Sequence, residues 1–368
     1  MKGQELIKLF FFFFLLSLAS CQSSDSAEES HGTYELGTKV SGLQGDVYCG
    51  YLDREGQLWF GTTSDGLYRY DGNSLVHYTL QDGLSDNKIS SITQDNKGNI
   101  WLGTASGICI FNGQKFSHLN LPPYDTITDW LKQSYPVVNP NEVQSIHQDK
   151  QGSFWFGTNG AGAYRYDGHT FTHLLDHIGR KQPDSLYHNI IQSITEDHSG
   201  NLWFASMTHG GVSRYDGDSF RQIMPDDGIS DDMVRTIFVD KAGNIWFGFN
   251  GNRNSGLTRY DGTSFQTYTV GDGLCTRNIR AIYQDPDGNL WIGGFSGMCL
   301  FDGQKFTVFK GEDGRIFDRI VFIVGDAEGA VWFGGKNGLW QFKNGQVIDW
   351  IDHQNQKADN KTGTITQK

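Results

Sequence analysis

Seven tryptophans recur along this chain in one local context, and this repetition constrains the fold more than any other feature. The interval between neighbours runs from 41 residues (Trp291 to Trp332) to 54 residues (Trp101 to Trp155). Each tryptophan stands in a short run of aromatic and aliphatic residues that is typical of a β-strand. Self-similarity with a period of roughly 40–50 residues indicates a propeller or another repeat architecture. The seven are Trp59, Trp101, Trp155, Trp203, Trp246, Trp291 and Trp332.

Two turn sequences accompany every repeat. An Asp-x-x-Gly loop precedes each tryptophan, and an Asp-Gly or Asn-Gly pair follows the third strand. Such pairs fit two-residue hairpins, because both central residues need positive φ, while the loop aspartate can cap its own turn. Calcium binding is the alternative, disfavoured by the lack of neighbouring carboxylates. The loops begin at Asp53, Asp95, Asp149, Asp197, Asp240, Asp285 and Asp326, and the pairs at Asp71, Asn112, Asp167, Asp216, Asp261, Asp302 and Asn344.

Each unit contains four strands, which predicts the fold class. One four-stranded sheet cannot bury its own faces, but seven sheets stacked around an axis cover one another. We therefore predict an all-β protein, a seven-bladed β-propeller of four-stranded antiparallel blades, with residues 34–40 packed on its seam. The blades are expected at residues 46–80, 88–121, 142–175, 189–223, 233–270, 278–310 and 319–351.

The two ends of the chain differ from the repeats. A basic start is followed by an apolar run at residues 9–16 and by Leu18-Ala19-Ser20-Cys21, which is typical of a secretory signal too short to span a bilayer. The ending resembles the lipobox of bacterial lipoproteins, which implies acylation of Cys21; a chance cysteine is the alternative. We predict a lipoprotein signal peptide at 1–20, acylated Cys21 and a flexible tether at 21–42, the propeller at 43–351 and a polar tail at 352–368.

Charge and cysteine content limit the partners. A formal net charge of −12 argues against nucleic acid, which needs a basic surface. We expect a lipid-anchored, extracytoplasmic protein of the bacterial cell envelope, on the outer membrane or cell surface in a Gram-negative host. Its expected partners are the membrane through the anchor, an oligosaccharide or small anion, and an envelope protein. Cys49, Cys109, Cys275 and Cys299 show no paired spacing, so we expect buried free thiols rather than disulfides.

The repeat also resembles a known family. The pattern Gly-Leu-x4-Ile-x2-Ile-x2-Asp-x2-Gly-x-Ile-Trp-x-Gly-Thr is clearest at residues 83–104 and recurs at 228–248 and 273–293. It resembles the two-component regulator propeller repeat over roughly residues 43–345. The resemblance implies the seven-bladed fold and the extracytoplasmic sensor part of hybrid histidine kinases, which often sense glycans. No transmembrane helix or kinase follows the repeats here, so we expect that the chain does not signal by itself.

Topology divides the loops between two faces. The uniform turns share one face, the turn face, while the second-to-third-strand loops and the links between blades share the opposite one, the loop face. Variable loops on a rigid scaffold are where binding residues usually lie; neutral drift of the loops is the alternative. From the insertions at 122–141, 207–211 and 250–255 we select Trp130, His209 and Arg253 as candidate binding residues. Tyr124 and Trp130 could stack on a sugar ring; the alternative is that they only fasten their own loop.

One position of the innermost strand forms the core of the predicted site. The residue five places before each turn aspartate is Tyr48, Ser90, Gln144, Gln192, Arg235, Arg280 or Val321. Polar, planar and cationic groups that converge on a concavity suit a sugar, carboxylate or sulfate. We predict ligand binding by Tyr48, Gln144, Gln192, Arg235 and Arg280, with the two arginines as an anion clamp. Pairing of these arginines with Asp231 or Asp232 is the alternative.

These features predict a non-catalytic, ligand-binding or sensor-like propeller. A protein-interaction scaffold with an apolar patch of Trp130, Leu131 and Tyr135 is one alternative. The other alternative is a streptogramin-lyase-like enzyme, because the strand at 200–204 resembles that family's repeat. Against it, no repeat continues with that family's Thr-Glu, and only His188, His209 and Glu142 are candidate bases. No nucleophile motif, phosphate loop or metal-ligand spacing appears, so no catalytic residue, metal or cofactor is predicted.

Overall fold

The protein is a seven-bladed β-propeller. The computed structural model describes residues 36–124, 138–175, 190–251, 255–336 and 338–350. Their strands form seven antiparallel sheets, and each sheet is one blade with its own four strands. The predicted fold class is confirmed. Within these residues, no helix is long and apolar enough to cross a membrane.

The strands follow one another in chain order from the innermost to the outermost position of each blade. Strand β1 (Thr38–Val40) precedes blade one, which contains β2 (Val47–Leu52), β3 (Leu58–Thr62), β4 (Leu67–Tyr70) and β5 (Leu75–Tyr78). Blade two contains β6 (Ile89–Gln94), β7 (Ile100–Thr104), β8 (Gly107–Phe111) and β9 (Phe116–Leu119). Blade three contains β10 (Asn139–Gln148), β11 (Phe154–Asn159), β12 (Ala163–Tyr166) and β13 (Phe171–Leu174). Blade four contains β14 (Ile191–Glu196), β15 (Leu202–Ser206), β16 (Val212–Tyr215) and β17 (Phe220–Ile223). Blade five contains β18 (Val234–Val239), β19 (Ile245–Phe249), β20 (Leu257–Tyr260) and β21 (Phe265–Tyr268). Blade six contains β22 (Ile279–Gln284), β23 (Leu290–Gly294), β24 (Met298–Phe301) and β25 (Phe306–Val308). Blade seven contains β26 (Ile320–Gly325), β27 (Val331–Gly335), β28 (Gly338–Lys343) and β29 (Gln346–Asp349). Single 3₁₀ turns lie at Leu80–Asp82, Pro225–Asp227 and Val270–Asp272.

The second strand of each blade is buried along its whole length. Because neighbouring blades cover both of its faces, its sequence is a continuous apolar run rather than an alternating one. The glycine two residues after the tryptophan has a packing role. A Cβ atom on Gly61 would lie 2.6 Å from the Cys49 sulfur and 2.8 Å from Ile89 of the next blade. The glycine of the repeat therefore lets adjacent blades approach closely.

The turn aspartate and the repeat tryptophan are hydrogen bonded in all seven blades. The indole Nε1–H donates to the aspartate Oδ2 six residues earlier, over 2.7–2.9 Å. In blade four, Asp197 Oδ1 also accepts the backbone N–H groups of Ser199 and Asn201. The aspartates thus cap their turns as predicted, and they also fasten each turn to the buried strand.

Hydrogen bonding at these turns outweighs burial. Burial by itself raises the pKa of Asp197, but bonds donated by Trp203, by the Asn201 side chain and by the turn backbone hold that pKa below its usual value. The pKa of Asp95 is lowered in the same way, with Asn99 and Trp101 as the side-chain donors. Both aspartates are therefore ionised at neutral pH. Among the described residues, no cluster of three His, Cys, Asp or Glu side chains is arranged to hold a metal ion.

The ring closes without an exchanged strand. Strand β1 pairs with the outer strand β5 and so adds a fifth strand to the four of blade one, which covers an otherwise exposed sheet edge. Val40 and Leu43 pack with Phe60 of blade one and with Trp332 and Trp350 of blade seven. The segment before the first blade therefore packs on the seam, as expected for its described residues.

The expectation of four free thiols is wrong. Cys275 and Cys299 form a disulfide with a Cα–Cα distance of 5.9 Å. Both belong to blade six, because Cys275 lies in the link that enters the blade and Cys299 lies on β24, so the fold brings together two residues that are 24 apart in sequence. Cys109 is a buried free thiol and Cys49 a half-buried one.

We expect thiol labelling to distinguish the free cysteines, Cys49 and Cys109, from the disulfide-bonded Cys275 and Cys299. Burial raises the pKa of Cys49 to about 12, and burial also raises the pKa of Cys109, so neither forms much reactive thiolate near neutral pH. In the chain from residue 22 onward, alkylation followed by mass spectrometry should modify two cysteines in urea without reductant and four with reductant. Modification of all four without reductant would contradict the Cys275–Cys299 bond.

Candidate functional site

A cavity of about 170 Å³ opens where the innermost strands begin. Its lining includes the predicted position from all seven blades: Tyr48, Ser90, Gln144, Gln192, Arg235, Arg280 and Val321. In every blade the pairing of the first two strands shifts register at this residue, so each one is the extra residue of a β-bulge. A bulge re-aims a side chain that the regular ladder would otherwise place on a sheet face. Seven bulges therefore gather seven side chains around the axis.

The bulges are a feature that sequence analysis missed. Their sequence signal is the constant five-residue distance to the turn aspartate, which locates the position but does not reveal the irregular backbone. In regular strands these residues would sit against the neighbouring blade. Because they are bulged, a charged residue such as Arg235 is accommodated next to a buried apolar strand.

The cationic side of the cavity comes from blades five and six. Arg235 Nη1 donates to Asn250 Oδ1 over 2.9 Å, and Arg280 Nε donates to Asn278 Oδ1 over 3.1 Å. The two asparagines are joined by a bond of 2.7 Å from Asn278 Nδ2 to the Asn250 carbonyl oxygen. Neutral amides thus orient both guanidinium groups and leave their charges uncompensated.

Neither arginine forms an ion pair within the described part of the chain. The alternative partners are engaged elsewhere: Asp231 accepts from Ser255 Oγ over 2.5 Å, and Asp232 accepts from His209 over 3.0 Å. The structure therefore does not show the pairing of Arg235 or Arg280 with Asp231 or Asp232. It leaves two unpaired cations beside one cavity.

Burial and mutual repulsion affect these cations. Burial, followed by the charge of Arg280, lowers the pKa of Arg235 from its usual value to about 10. Burial also lowers the pKa of Arg280, with a further contribution from Arg319. Both groups remain protonated at neutral pH. The positive charge in the cavity is thus held at a cost in free energy that a bound anion would relieve.

The opposite side of the cavity is polar and neutral at its surface. Gln144 Oε1 accepts from Gln192 Nε2 over 3.1 Å and from the Tyr48 hydroxyl over 3.5 Å. Behind them lies Glu142, which is 2% exposed. Its carboxylate oxygens accept bonds from Ser90, Gln144 and Asn159 and form an ion pair with Lys88 Nζ at 2.6 Å. Glu142 therefore orients the lining amides and is not available as a free base.

An exposed aromatic ring lies beside the cationic side. Phe295 directly follows β23 on the loop face, and 48% of its surface is accessible. The Cζ atoms of Arg280 and Arg319 lie 5.9 Å and 5.4 Å from its ring centroid. Sequence analysis missed this residue. The available signal was an aromatic side chain at a loop position where blades one and two carry Thr63 and Ala105.

The other predicted site residues lie away from the cavity lining or outside the described residues. His209 is exposed on the loop face, where its bond to Asp232 raises its pKa. Tyr124 is half-buried and packs edge-on against His173 at 5.3 Å, which fits the role of fastening its loop. Cys21, Trp130, Arg253, Leu131, Tyr135 and His188 lie outside the described residues, so the lipid anchor, the apolar patch and one candidate base stay predictions.

Five of the repeats match a known family of sequences. The profile described as Two component regulator propeller matches residues 83–106, 138–160, 188–208, 228–251 and 273–296, which lie in blades two to six. Five of its seven repeats thus match the two component regulator propeller family. The matched segments run from the link that enters a blade, through the bulge, to the buried second strand. In blades two to six, the matched segment therefore contains the bulge residue that lines the cavity.

Known relatives share segments or the fold of this chain. Histidine kinase P4 of Formosa agariphila is 28% identical over 149 residues, which are 38% of this chain and 10% of that protein. The chain thus spans about a tenth of that relative's length.

Two solved structures share the fold. A protein described as the extracellular domain of a hybrid two component system from B. thetaiotaomicron has a TM-score of 0.68 and 24% identity, over 83% of this chain and 40% of that one. Catalytically inactive virginiamycin B lyase from Staphylococcus aureus, solved with quinupristin, has a TM-score of 0.54 and 18% identity, over 71% of this chain and 83% of that one. At these identities the likeness shows the fold alone.

Proposed function

We propose that this two component regulator propeller is a non-catalytic, sensor-like binding protein for a small anion or an acidic saccharide. The observation that carries the proposal is the pair Arg235 and Arg280, two unpaired cations beside one cavity in a chain whose net charge is −12. A chain with many carboxylates normally satisfies its buried arginines with them. Cations oriented only by amides suit a carboxylate, sulfate or phosphate from solution.

The remainder of the cavity suits hydroxyl groups. Gln144, Gln192 and Tyr48 present donors and acceptors that match a sugar, while the arginines supply the charge recognition. The extracellular origin of a structural neighbour agrees with the envelope location that the leader predicts. We propose that the binding face lies outside the cytoplasm, on a protein anchored through Cys21.

The described candidates for a base argue for binding rather than catalysis. Glu142 is saturated with hydrogen bonds and an ion pair, and His209 is exposed and paired with Asp232. An elimination needs a base aimed at the bound ligand, and neither residue is among those that line the cavity. The likeness to virginiamycin B lyase thus reflects the shared propeller and carries no activity to this chain.

Thermal unfolding in the presence of ligands tests the proposal. The panel contains sulfate, phosphate, glucuronate and glucose, each applied to the wild type and to the Arg235→Gln/Arg280→Gln variant at equal ionic strength. A ligand at a hundred times its dissociation constant should stabilise the wild type by about 2.7 kcal/mol. The double variant should show only the small stabilisation that sulfate and phosphate give to any folded protein, because these salts are excluded from the protein surface.

A control variant distinguishes the cavity from the charged surface. Arg221 is exposed and lies 3.8 Å from Asp227, so Arg221→Gln removes one positive charge outside the cavity. We expect this variant to keep the full ligand response. Equal responses of the wild type and the double variant to all four compounds would argue against an anion site and favour a protein partner, to be sought by crosslinking on membranes.

A further inference from the structure

A third arginine lies close to Arg280 on the cationic side of the cavity. Arg319 immediately precedes β26 of blade seven, and its guanidinium group lies over the Phe295 ring on which Arg280 also packs. Like Arg280, it has no ion pair with a described carboxylate. Blades five, six and seven therefore supply a row of three arginines, Arg235, Arg280 and Arg319, that leads from the cavity towards the loop face.

The backbone holds Arg319 in a costly conformation. Its φ of 54° lies in the left-handed region, whereas the residues two places before the bulge in the other blades do not adopt positive φ; they are Asp46, Lys88, Glu142, Ile190, Met233 and Asn278. The conformation accompanies a bond of 3.1 Å from the Arg319 backbone N–H to the Phe295 carbonyl oxygen. Strain of this kind in a non-glycine residue persists where surrounding contacts impose it, often at binding sites. Here the constraint positions a third cation beside an exposed ring.

Arg280 and Arg319 both pack on the ring of Phe295. Because 48% of the Phe295 surface is still accessible, its exposed part offers an apolar surface that a sugar ring can contact. A ligand that fills the cavity and extends past Arg280 would therefore contact Phe295 and Arg319.

We propose that the loop face binds a short acidic oligosaccharide, with one anionic group between Arg235 and Arg280, a sugar ring against Phe295 and a second anionic group on Arg319. This inference rests on the proposed function and deepens it, since it assigns at least two charges and two sugar units to the ligand. Carboxylated and sulfated saccharides share this chemistry.

Calorimetric titration of the purified full-length protein tests this subsite. The probes are galacturonate, digalacturonate, a sulfated chondroitin disaccharide, tripolyphosphate and neutral cellobiose. At least one acidic disaccharide should bind about tenfold or more tightly than galacturonate, and cellobiose should bind weakly or not at all. Phe295→Ala and Arg319→Gln should each weaken the disaccharide about three- to tenfold while changing galacturonate affinity less than twofold. The preferred disaccharide distinguishes a carboxylated from a sulfated source.

Arg315→Gln provides the matched control. Arg315 lies on the same link as Arg319, but it is exposed and pairs with Asp313 and Asp349, so its loss should leave all affinities unchanged. If galacturonate binding depends on Arg235 but neither acidic disaccharide binds more tightly, this inference is wrong and the proposed function stands. If tripolyphosphate binds best and Phe295→Ala has no effect, the ligand is not a saccharide. Failure of every anion to bind in an Arg235-dependent way would overturn both proposals.

Discussion

Replacement of Trp203 by alanine is expected to lower the free energy of unfolding by about 3–5 kcal/mol. Trp203 is almost fully buried and packs against Phe247 and Tyr260 of the next blade, with ring centroids 5.9 Å and 6.0 Å away. Its removal leaves a large cavity between two blades and breaks the bond to Asp197. Urea unfolding followed by circular dichroism measures the loss.

A Trp203→Phe variant separates the contribution of packing from that of the hydrogen bond, and a Leu80→Ala variant is the control. Trp203→Phe keeps most of the apolar contact but removes the indole donor, so we expect a loss of about 1–2 kcal/mol, because Asp197 Oδ2 still accepts from Asn201. Leu80→Ala, at a side chain that is 55% exposed, should change stability by less than about 0.5 kcal/mol. A Trp203→Ala variant as stable as Leu80→Ala would show that the repeat tryptophan is not what joins the blades.

The second large effect has the opposite sign. Arg235→Gln is expected to raise the free energy of unfolding of the ligand-free protein by about 1–3 kcal/mol. Burial, and then repulsion from Arg280, lowers the pKa of Arg235 to about 10, so the folded state holds this proton less tightly than the unfolded chain. The positive charge is therefore destabilising at every pH below about 10, and stability is regained only as the pH rises above that value towards the pKa of an arginine in the unfolded chain.

Glutamine is a suitable replacement because blades three and four carry Gln144 and Gln192 at the same bulge. Arg165→Gln is the control. The Arg165 guanidinium bonds to Ser153 over 3.1 Å and packs on Trp155, so its loss should destabilise the protein. Urea unfolding near neutral pH compares the two variants with the wild type. A gain in stability that accompanies a loss of ligand binding is the pattern expected of a binding residue, whereas destabilisation by Arg235→Gln would mean that the arginine serves the fold.

The fold was predictable because the repeat is strict. Each tryptophan has its turn aspartate six residues earlier, and this local rule locates the strands without any knowledge of long-range contacts. The same regularity identified the bulge position, including Arg235 and Arg280, as a set that faces the axis. Position along a regular repeat was therefore enough to find the seven residues that meet at the cavity.

The remainder of the site depends on contacts between blades that no single repeat reveals. Phe295 is notable only because Arg280 of its own blade and Arg319 of the next pack on its ring. The disulfide was missed for a similar reason, since Cys275 lies in a link whose path is determined by the strands it connects. Irregular segments carry little periodic signal, and their geometry follows from packing rather than from local preference.

The most direct test of the central claim is the NMR signal of the arginine side chains. In protein labelled with ¹⁵N at arginine Nε, signals are assigned through Arg235→Gln and Arg280→Gln, and a saturating amount of the best anionic ligand is added. We predict that the Nε–H resonances of Arg235 and Arg280 shift, while those of Arg69, Arg165 and Arg214, which pack on tryptophans away from the cavity, stay in place. Saturated binding that leaves both cavity resonances unmoved would contradict the assignment of this cavity as the binding site.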